Sequence, residues 1–377
     1  MNILVISPHG MYLQYTASFV HNQAKAYVRQ GHRVRAVIPL AIGKRSNEGR
    51  RIGPPVEIFE KDGVEICYVR HLSLSNFGAK WFNTASCQTA LSLLLPKVLR
   101  DFRPDVIHAN CIGFGGEIGA YLQRKLHIPL VITTHGSDTN TALERGEGAK
   151  LKQICDSADA VVACSAVLAS NLRRCGTVVP VQHIYNGFAV ENVKTCEKTP
   201  RRIIQVCSLS PSKHVELTIQ ALSQLKSKYP EISLVIVGDG PEHESLKSLC
   251  AKLGVEENVR FLGQLPNSAA MEEMAKSQIF VMPSYPEGFG IVYLEAMASG
   301  CVTIGTEGEG IADLIISGEN GFLVPKDNVA AIADVIARCL RHPEEAAAVA
   351  ERGRQAAMRL TWAENAAQYI ALFSSLR

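Results

Sequence analysis

The chain has 377 residues, enough for two domains that each bury a core of their own. Hydrophobic residues make up 47% and charged residues 20%, the composition of a soluble globular protein, and no apolar run reaches the roughly 18–20 residues of a membrane span. The net charge of +3 excludes little, but its distribution is uneven. Between Lys25 and Arg51 stand Lys25, Arg29, Arg33, Arg35, Lys44, Arg45, Arg50 and Arg51 against a single acid, Glu48. Such a block suits an anionic partner, or equally an ordinary solvated face. The eleven cysteines are odd in number, scattered and without a CxxC pair. With Cys207 and Cys301 inside apolar runs, they read as reduced thiols of a cytosolic protein, not a disulfide frame or zinc site.

Short β-rich runs alternate with helical patterns from the start of the chain. Met1–Ile6 lacks a basic region and a cleavage site, so Asn2–Ser7 is read as a first strand and not a signal peptide. A helix is expected at Ala17–Gln30, closed by Gly31, and a strand at Arg33–Ile38. Further strands are expected at Val64–Val69, Asp105–Ala109, Leu130–Thr133, Ala160–Ala163 and Val181–Tyr185. Helical patterns at Thr89–Phe102, Glu117–Leu126, Lys150–Ser157 and Ala166–Cys175 separate them. The polar stretch Phe188–Pro200 is read as an interdomain linker. Alternation then resumes with strands at Arg202–Cys207, Ser233–Val237, Val259–Leu262, Ile279–Met282, Val302–Gly305 and Phe322–Val324. Helices are expected at Val215–Lys228, His243–Leu253, Ala269–Lys276, Ile291–Ala298 and Val329–Arg341. A last helix, Trp362–Phe373, is expected to return to the first domain. Repeated strand–helix alternation implies parallel sheets covered on both faces. The expected division is 1–187 plus 361–377, a linker at 188–200, and 201–360, with the ligand cleft beyond the strands' carboxyl ends.

The most informative stretch is Pro283–Gly300, which follows a strand and opens a helix. Gly288 and Gly290 permit a tight turn and close approach of a ligand. The amides of Ile291 and Val292 stand at the helix N-terminus, where free N–H groups and the helix dipole favour phosphate. Glu287 stands at the mouth of the turn. Glu295 lies more than one turn inside, where one carboxylate can accept from both hydroxyls of a ribose diol. As isolated glutamates these would be a helix-start acid and a surface residue; that bland reading leaves the Pro-Glu-Gly-Phe-Gly turn unexplained.

The whole stretch resembles the two-glutamate signature of retaining glycosyltransferase family 4, glycosyl transferases group 1, which have the GT-B fold. The resemblance runs over nearly the whole chain. Val235–Pro241 resembles a donor-domain strand and turn, with Gly238 in it, and Asn258–Gly263 the segment bordering the base, with Arg260 and Leu262. Arg103–Ala109, Thr133–Asp138 and Asn186-Gly187 match in the first half. The resemblance implies an α/β protein of two Rossmann-like domains facing a central cleft, with the acceptor on the N-terminal domain and the donor on the C-terminal one. It implies catalytic roles for His135, Glu287 and Lys213. It places the donor against Gly10, Ser208, Lys213, Gly238, Arg260, Leu262, Glu287, Gly288, Phe289, Gly290, Ile291, Val292 and Glu295. His135 would sit near the reacting carbon; on its own it reads more readily as a turn-capping histidine. Two departures stand out. Ser208 occupies a position where many members carry arginine, and serine has no bidentate fork for phosphate. The loop after the first strand, Ser7–Tyr12, offers the single Gly10 where members often carry paired glycines.

The implied reaction moves a hexosyl or N-acetylhexosaminyl group from a nucleoside diphosphate sugar to a glycan or lipid-linked acceptor in cell-surface polysaccharide synthesis, with anomeric retention. A uridine diphosphate sugar is the commonest donor in the family; guanosine diphosphate sugars also occur, and no residue here decides. No Asp-x-Asp cluster stands in a suitable loop, so no metal or cofactor is expected beyond the sugar nucleotide itself, and no nucleic-acid partner. The basic block and the aromatic–basic stretch His71–Phe82 suit peripheral contact with an anionic membrane on its cytoplasmic face. Competing readings are a nucleotide-sugar epimerase, a non-catalytic nucleotide-sugar-binding partner, and a nicotinamide-dependent dehydrogenase. The last lacks G-x-G-x-x-G after its first strand.

Overall fold

A computed structural model describes residues 1–7, 18–42, 53–74 and 80–377. The chain forms two compact units, Met1–Asn186 with Trp362–Arg377, and Gly187–Thr361.

The first unit opens with β1 (Asn2–Ile6), α1 (Ser18–Arg29), β2 (Arg33–Ala41), β3 (Val56–Lys61), β4 (Val64–His71) and α2 (Lys80–Val98). It continues through β5 (Val106–Asn110), α3 (Glu117–Leu126), β6 (Leu130–Thr134), α4 (Ser137–Glu144), α5 (Gly148–Cys155), β7 (Ala160–Ala163), α6 (Ala166–Arg174) and β8 (Val181–His183). Its eight strands among the described residues run in the order β3-β4-β2-β1-β5-β6-β7-β8. All neighbours are parallel except β3 against β4. Central strands buried on both faces are largely apolar, as in Leu130-Val-Ile-Thr-Thr, where every residue is buried and the threonine hydroxyls are hydrogen-bonded. The closing helix α13 (Trp362–Ser375) belongs to this unit. Polar bonds inside the core fix it: Gln23 Nε2 donates to Asn365 Oδ1 at 2.8 Å, and Thr133 Oγ1 meets Tyr369 Oη at 2.9 Å.

The second unit holds β9 (Arg202–Val206), α7 (Val215–Lys226), β10 (Ser233–Val237), α8 (His243–Leu253), β11 (Val259–Phe261), α9 (Asn267–Ala275) and β12 (Ile279–Val281). After them come α10 (Ile291–Ala298), β13 (Val302–Thr306), β14 (Phe322–Val324), α11 (Val329–Arg341) and α12 (Pro343–Ala357). The sheet is parallel throughout in the order β11-β10-β9-β12-β13-β14. Ile203, Ile236 and Ile304 pack against Val215, Ile219, Leu222, Ile332 and Ile336 of the covering helices.

Several elements differ from expectation. β3, α4 and α12 were not foreseen. α2 begins at Lys80 and ends at Val98, with Pro96 in its last turn, instead of spanning Thr89–Phe102. The stretch 188–200 packs as part of the second unit: it makes a short turn at Val190–Asn192, and Lys198 bonds into the helix ends there. Within the basic block, one of the two charges of Arg33 and Arg35 is offset. Both guanidinium groups bind the Glu65 carboxylate, and Arg35, only 3% exposed, also donates to the Val98 and Arg100 carbonyls. Lys44, Arg45, Arg50 and Arg51 lie outside the described residues.

Candidate functional site

In the second sheet, β9 to β11 proceed to one side and β12 to β14 to the other, so order reverses between β9 and β12. Loops leaving adjacent strands at such a point diverge and leave a crevice at the carboxyl edge. The two loops here are 207–214 after β9 and 282–290 after β12. The first carries Ser208 and Lys213, the second Glu287.

These loops are tied together. Ser212 O accepts from Tyr285 N at 3.0 Å, and the Ser284 hydroxyl lies 3.0 Å from both Ser212 O and Glu287 Oε2. The His214 ring stacks on Tyr285 with centroids 3.8 Å apart and planes 10° from parallel. Across the crevice, Lys213 Nζ donates to Glu287 Oε2 at 2.6 Å. The Glu287 peptide is braced from β13's far side: its N–H donates to Glu309 Oε2 at 2.6 Å, and its carbonyl accepts from Gly310 N at 3.2 Å. Glu309 is buried, and its other oxygen meets Lys326 Nζ at 2.5 Å.

Behind Glu287 the chain turns into α10. Gly290 has φ 74°, and a Cβ there would lie 2.7 Å from the Tyr293 ring, so glycine is required twice over. The first amides of α10, Ile291 and Val292, precede its first intrahelical bond and are available to an anion. Phe289 is buried beneath the turn, so of the Glu-Gly-Phe-Gly run it anchors from below.

Glu295 sits half-buried in α10 and accepts from Asn267 Nδ2 at 2.7 Å. Asn267 in turn accepts from Asn192 Nδ2 at 2.7 Å. Burial holds the Glu295 carboxyl above its usual range, against the opposing pull of Asn267. The sign follows. Its folded value lies above its unfolded one, so the ionised form is the strained form; the penalty is full above the folded pKa and vanishes as pH falls below the unfolded one. Glu295→Gln should therefore melt higher than wild type at neutral pH, with the gain shrinking toward pH 4, while nucleotide affinity falls. Melting curves at several pH values beside nucleotide titrations check this; a gain independent of pH would refute it.

Arg260 is exposed on the edge strand β11 and, with Leu262, Leu265 and Ala269, lines a hollow of about 290 Å³. Gly238 answers a packing need of the chain. With φ 132°, a Cβ there would stand 1.8 Å from Cys207 O, so the turn after β10 lies directly on the loop after β9. Ser208 is exposed, and its hydroxyl meets Ser210 Oγ at 3.4 Å.

In the first sheet order reverses between β1 and β5. β1 ends beside Ser7; Gly10 lies outside the described residues. β5 ends at Asn110, whose Oδ1 meets His135 Nε2 at 2.9 Å. The His135 ring also packs on Phe19, centroids 4.4 Å apart. Asp138 shapes this turn, accepting from Ile112 N at 2.7 Å, Thr134 Oγ1 at 2.8 Å and Gly136 N at 3.2 Å. Below it the His108 imidazole is fully buried and pushed down to about 3 by burial, then by His135, so it stays neutral. A cavity of about 560 Å³ opens beside this edge, bordered by Phe114, Asp138, Thr141, Arg145, Glu147 and Lys150.

Lys213 and Glu287 thus meet in one crevice, and the N-terminus of α10 follows the Glu287 loop directly. Glu295 stands deeper in the same helix with Asn267. Glu309, Lys326 and Asn267 were not foreseen and reach the site through space from other segments, whereas Ser284 lies on the Glu287 loop itself and was not singled out. His135 and Asn110 form a separate cluster in the first unit. Among the described residues no group of three or more His, Cys, Asp or Glu side chains is arranged to hold a metal.

Residues 181–356 match the family described as Glycosyl transferases group 1, and residues 16–192 match Glycosyltransferase Family 4. One relative is a GDP-mannose-dependent alpha-(1-6)-phosphatidylinositol monomannoside mannosyltransferase of Mycolicibacterium smegmatis. It is 29% identical over 269 residues, covering 66% of this chain and 70% of that protein. Another, the N-acetyl-alpha-D-glucosaminyl L-malate synthase of Bacillus anthracis, is 28% identical over 288 residues, covering 71% and 73%. Among solved structures, a sucrose-phosphate synthase from Thermosynechococcus elongatus superposes with a TM-score of 0.83 at 21% identity, covering 100% of this chain and 99% of that one. Anabaena HepE, solved in complex with UDP, superposes at 0.80 with 20% identity over the full length of both chains. Two parallel α/β units of this kind define a glycosyltransferase of GT-B type. Within that class, the chain belongs to the group 1, family 4 glycosyltransferases.

Proposed function

We propose that this protein transfers a hexosyl or N-acetylhexosaminyl group, with retention, from a nucleoside diphosphate sugar to a glycan or lipid-linked acceptor in cell-surface polysaccharide synthesis. The observation that carries the donor half is the Lys213–Glu287 pair, set across the switch-point crevice beside the α10 N-terminus. Negative charge grows on the diphosphate as the glycosidic bond breaks. A cation and preorganised amides aimed at that position stabilise the transition state more than the ground state. Lys213 and the amides of Ile291 and Val292 supply them, with the Ser208 hydroxyl as a single donor where relatives carry arginine. On arrival of the diphosphate, Lys213 is drawn from Glu287 to phosphate, and Glu287 is released toward sugar hydroxyls. Glu295 takes the ribose diol, and Arg260 and Leu262 border the base. Gly10 approaches the leaving phosphates.

For His135, held by Asn110, the proposal keeps the role the resemblance implies, near the reacting carbon, and it takes the 560 Å³ cavity of the first unit as the acceptor's place. The family expectation completes the scheme: the acceptor attacks on the face the diphosphate leaves, and that diphosphate takes the acceptor's proton. Lysine and amides meet the phosphate charge in this scheme, so no metal is required. The membrane contact draws its support from exposed Leu72, Leu74 and Trp81 rather than from Arg33 and Arg35. No helix among the described residues is long and apolar enough to cross a membrane; a cytoplasmic place on the membrane's inner face belongs to the same proposal.

The test is a calorimetric titration with nucleoside diphosphates and their sugars on wild type and Glu295→Ala, with and without a chelator. Uridine compounds come first because Anabaena HepE was solved with UDP and with UDP-glucose; guanosine compounds follow because the mycobacterial relative uses GDP-mannose. The expected result is one tightly bound diphosphate, unaffected by chelator and weakened in the variant. Binding without transfer or donor hydrolysis would favour the non-catalytic reading. No binding by folded protein would overturn the donor site.

A further inference from the structure

Far from that crevice, at the opposite edge of the second sheet, lies a buried amine beside a buried thiol. Lys198 enters from the stretch preceding β9, and Thr199 N donating to Lys276 O at 2.8 Å fixes its backbone. Its Nζ donates to Ser277 O and Ser299 O, each at 2.8 Å. These carbonyls close α9 and α10, where partial negative charge gathers. The third neighbour is Cys301 Sγ at 3.9 Å. Cys301 immediately precedes β13, is 1% exposed, and donates its S–H toward Met274 O at 3.1 Å and Ser277 O at 3.3 Å. Lys198, Gly300 and Val302 border a cavity of about 390 Å³, so both neighbours of Cys301 in the chain face open space.

We propose that Lys198 and Cys301 are an oxidation-dependent modification site, closing a covalent sulfur–nitrogen crosslink when the protein meets a peroxide. Lys198 Nζ donates toward Cys301 Sγ as its third contact; once the amine is uncharged and keeps its two N–H bonds to the carbonyls, the position facing Cys301 is left for the lone pair. Burial lowers the Lys198 pKa and so favours this uncharged form. The reaction balances in two steps. The Cys301 thiol attacks hydrogen peroxide, the O–O bond breaks, and sulfenic acid and water form; sulfur loses two electrons and the peroxide gains them. The Lys198 nitrogen then attacks that sulfur, hydroxide leaves, and the nitrogen's proton goes with it as water. A sulfenic acid is known to condense with a neighbouring nitrogen in this way. The flexible lysine stem closes the remaining distance.

Burial pushes the Cys301 thiol up to about 11, so thiolate is scarce and the reaction is slow. Cys196, two residues before Lys198 and less buried than Cys301, is the competing thiol.

The experiment is prolonged peroxide treatment of the full chain, then proteolysis and mass spectrometry. The expected product joins the peptides of Lys198 and Cys301, is lighter than their sum by two hydrogen atoms, and separates in dithiothreitol. It should persist in Cys196→Ser and vanish in Lys198→Arg and Cys301→Ser. Lys198→Arg keeps N–H donors for the two carbonyls, so the test survives if Cys301→Ser folds poorly. Crosslinking should also raise the melting temperature, an increase dithiothreitol reverses. A free Cys301 peptide after Cys196 is fully oxidised would overturn the proposal. So would Cys301 recovered only as sulfinic acid, a Cys196–Cys301 disulfide, or a crosslink that survives Lys198→Arg.

Discussion

Lys213→Ala is expected to lower kcat/KM for transfer by about 100-fold to 1,000-fold, the cost of removing one preorganised group that meets transition-state charge. The loss should fall mainly on kcat. Lys213 is held by Glu287 at 2.6 Å when no donor is present, so part of its attraction for the ground-state diphosphate is offset by giving up that partner. The variant also strands the Glu287 carboxylate. Both side chains keep some solvent access, 22% and 12%, so the stability cost stays below the roughly 3–5 kcal/mol of breaking a fully buried pair. The two effects separate in a double mutant. Lys213→Ala with Glu287→Gln should recover much of the melting temperature, because no charge is left unpaired, and none of the activity. The double mutant should be far less impaired than the product of the single defects, since the two side chains act as one unit. A Lys213→Ala enzyme within about threefold of wild type in kcat/KM would remove Lys213 from the proposed catalytic machinery.

The contrast between Lys213–Glu287 and Glu309–Lys326 shows what a sequence of this kind gives up readily and what it withholds. Glycines followed by an apolar helix declare a tight turn and a free helix start, because few other residues tolerate such backbone. Glu287 is therefore legible from its own neighbours, whereas Lys213, in Ser210-Pro211-Ser212-Lys213 with no glycine beside it, is reached only through the family resemblance. Glu309 has no such marker. It acts by accepting from Glu287 N, 22 residues away in the chain, and only the parallel placement of β12 and β13 brings the two together. Asn267 reaches Glu295 in the same way, from the start of α9. Among the elements, β1, β5, β6, β7 and β10 were legible because central parallel strands are largely apolar on both faces. β3 was not, being a half-exposed edge strand with Glu57, Glu60 and Lys61. The Asp62-Gly63 turn that joins it to β4 is a hairpin signal that would have found it. α12 likewise carries its own start signal, with Pro343 at the first position and Glu344 and Glu345 in the first turn. α2 was misplaced because its first turns are partly exposed and carry no clear apolar stripe, Trp81 being 74% exposed.

Gly310→Ala should damage the site through a single added methyl group, placed directly against the Glu287 turn. Its backbone φ is not in the left-handed region, so the penalty is steric and not conformational. The new Cβ would lie 2.0 Å from Gly288 O, 2.6 Å from Gly288 C and 2.8 Å from Phe289 Cα. All three are backbone atoms, so no rotamer relieves the clash and one segment must move by roughly 1 Å. If 288–289 yields, the Glu287 turn and the start of α10 shift. If 309–311 yields, Glu287 loses both its braces, the Glu309 carboxylate at 2.6 Å and the Gly310 amide at 3.2 Å. Either movement takes the carboxylate and the helix amides off the diphosphate, and a misplacement of about 1 Å can cost about 100-fold in rate. Overpacking adds a stability loss of about 1–3 kcal/mol. Gly308→Ala supplies the comparison. Gly308 has φ 73° with nothing within 4 Å of a new Cβ, so its alanine carries backbone strain of about 1–2 kcal/mol but pushes on no part of the crevice. Thermal melts should show both variants destabilised, whereas nucleotide titration should show donor affinity lost in Gly310→Ala and kept in Gly308→Ala. Equal affinity in the two variants would mean that the 309–310 brace does not hold Glu287 in place, and that the turn at Gly288–Gly290 is positioned by α10 alone.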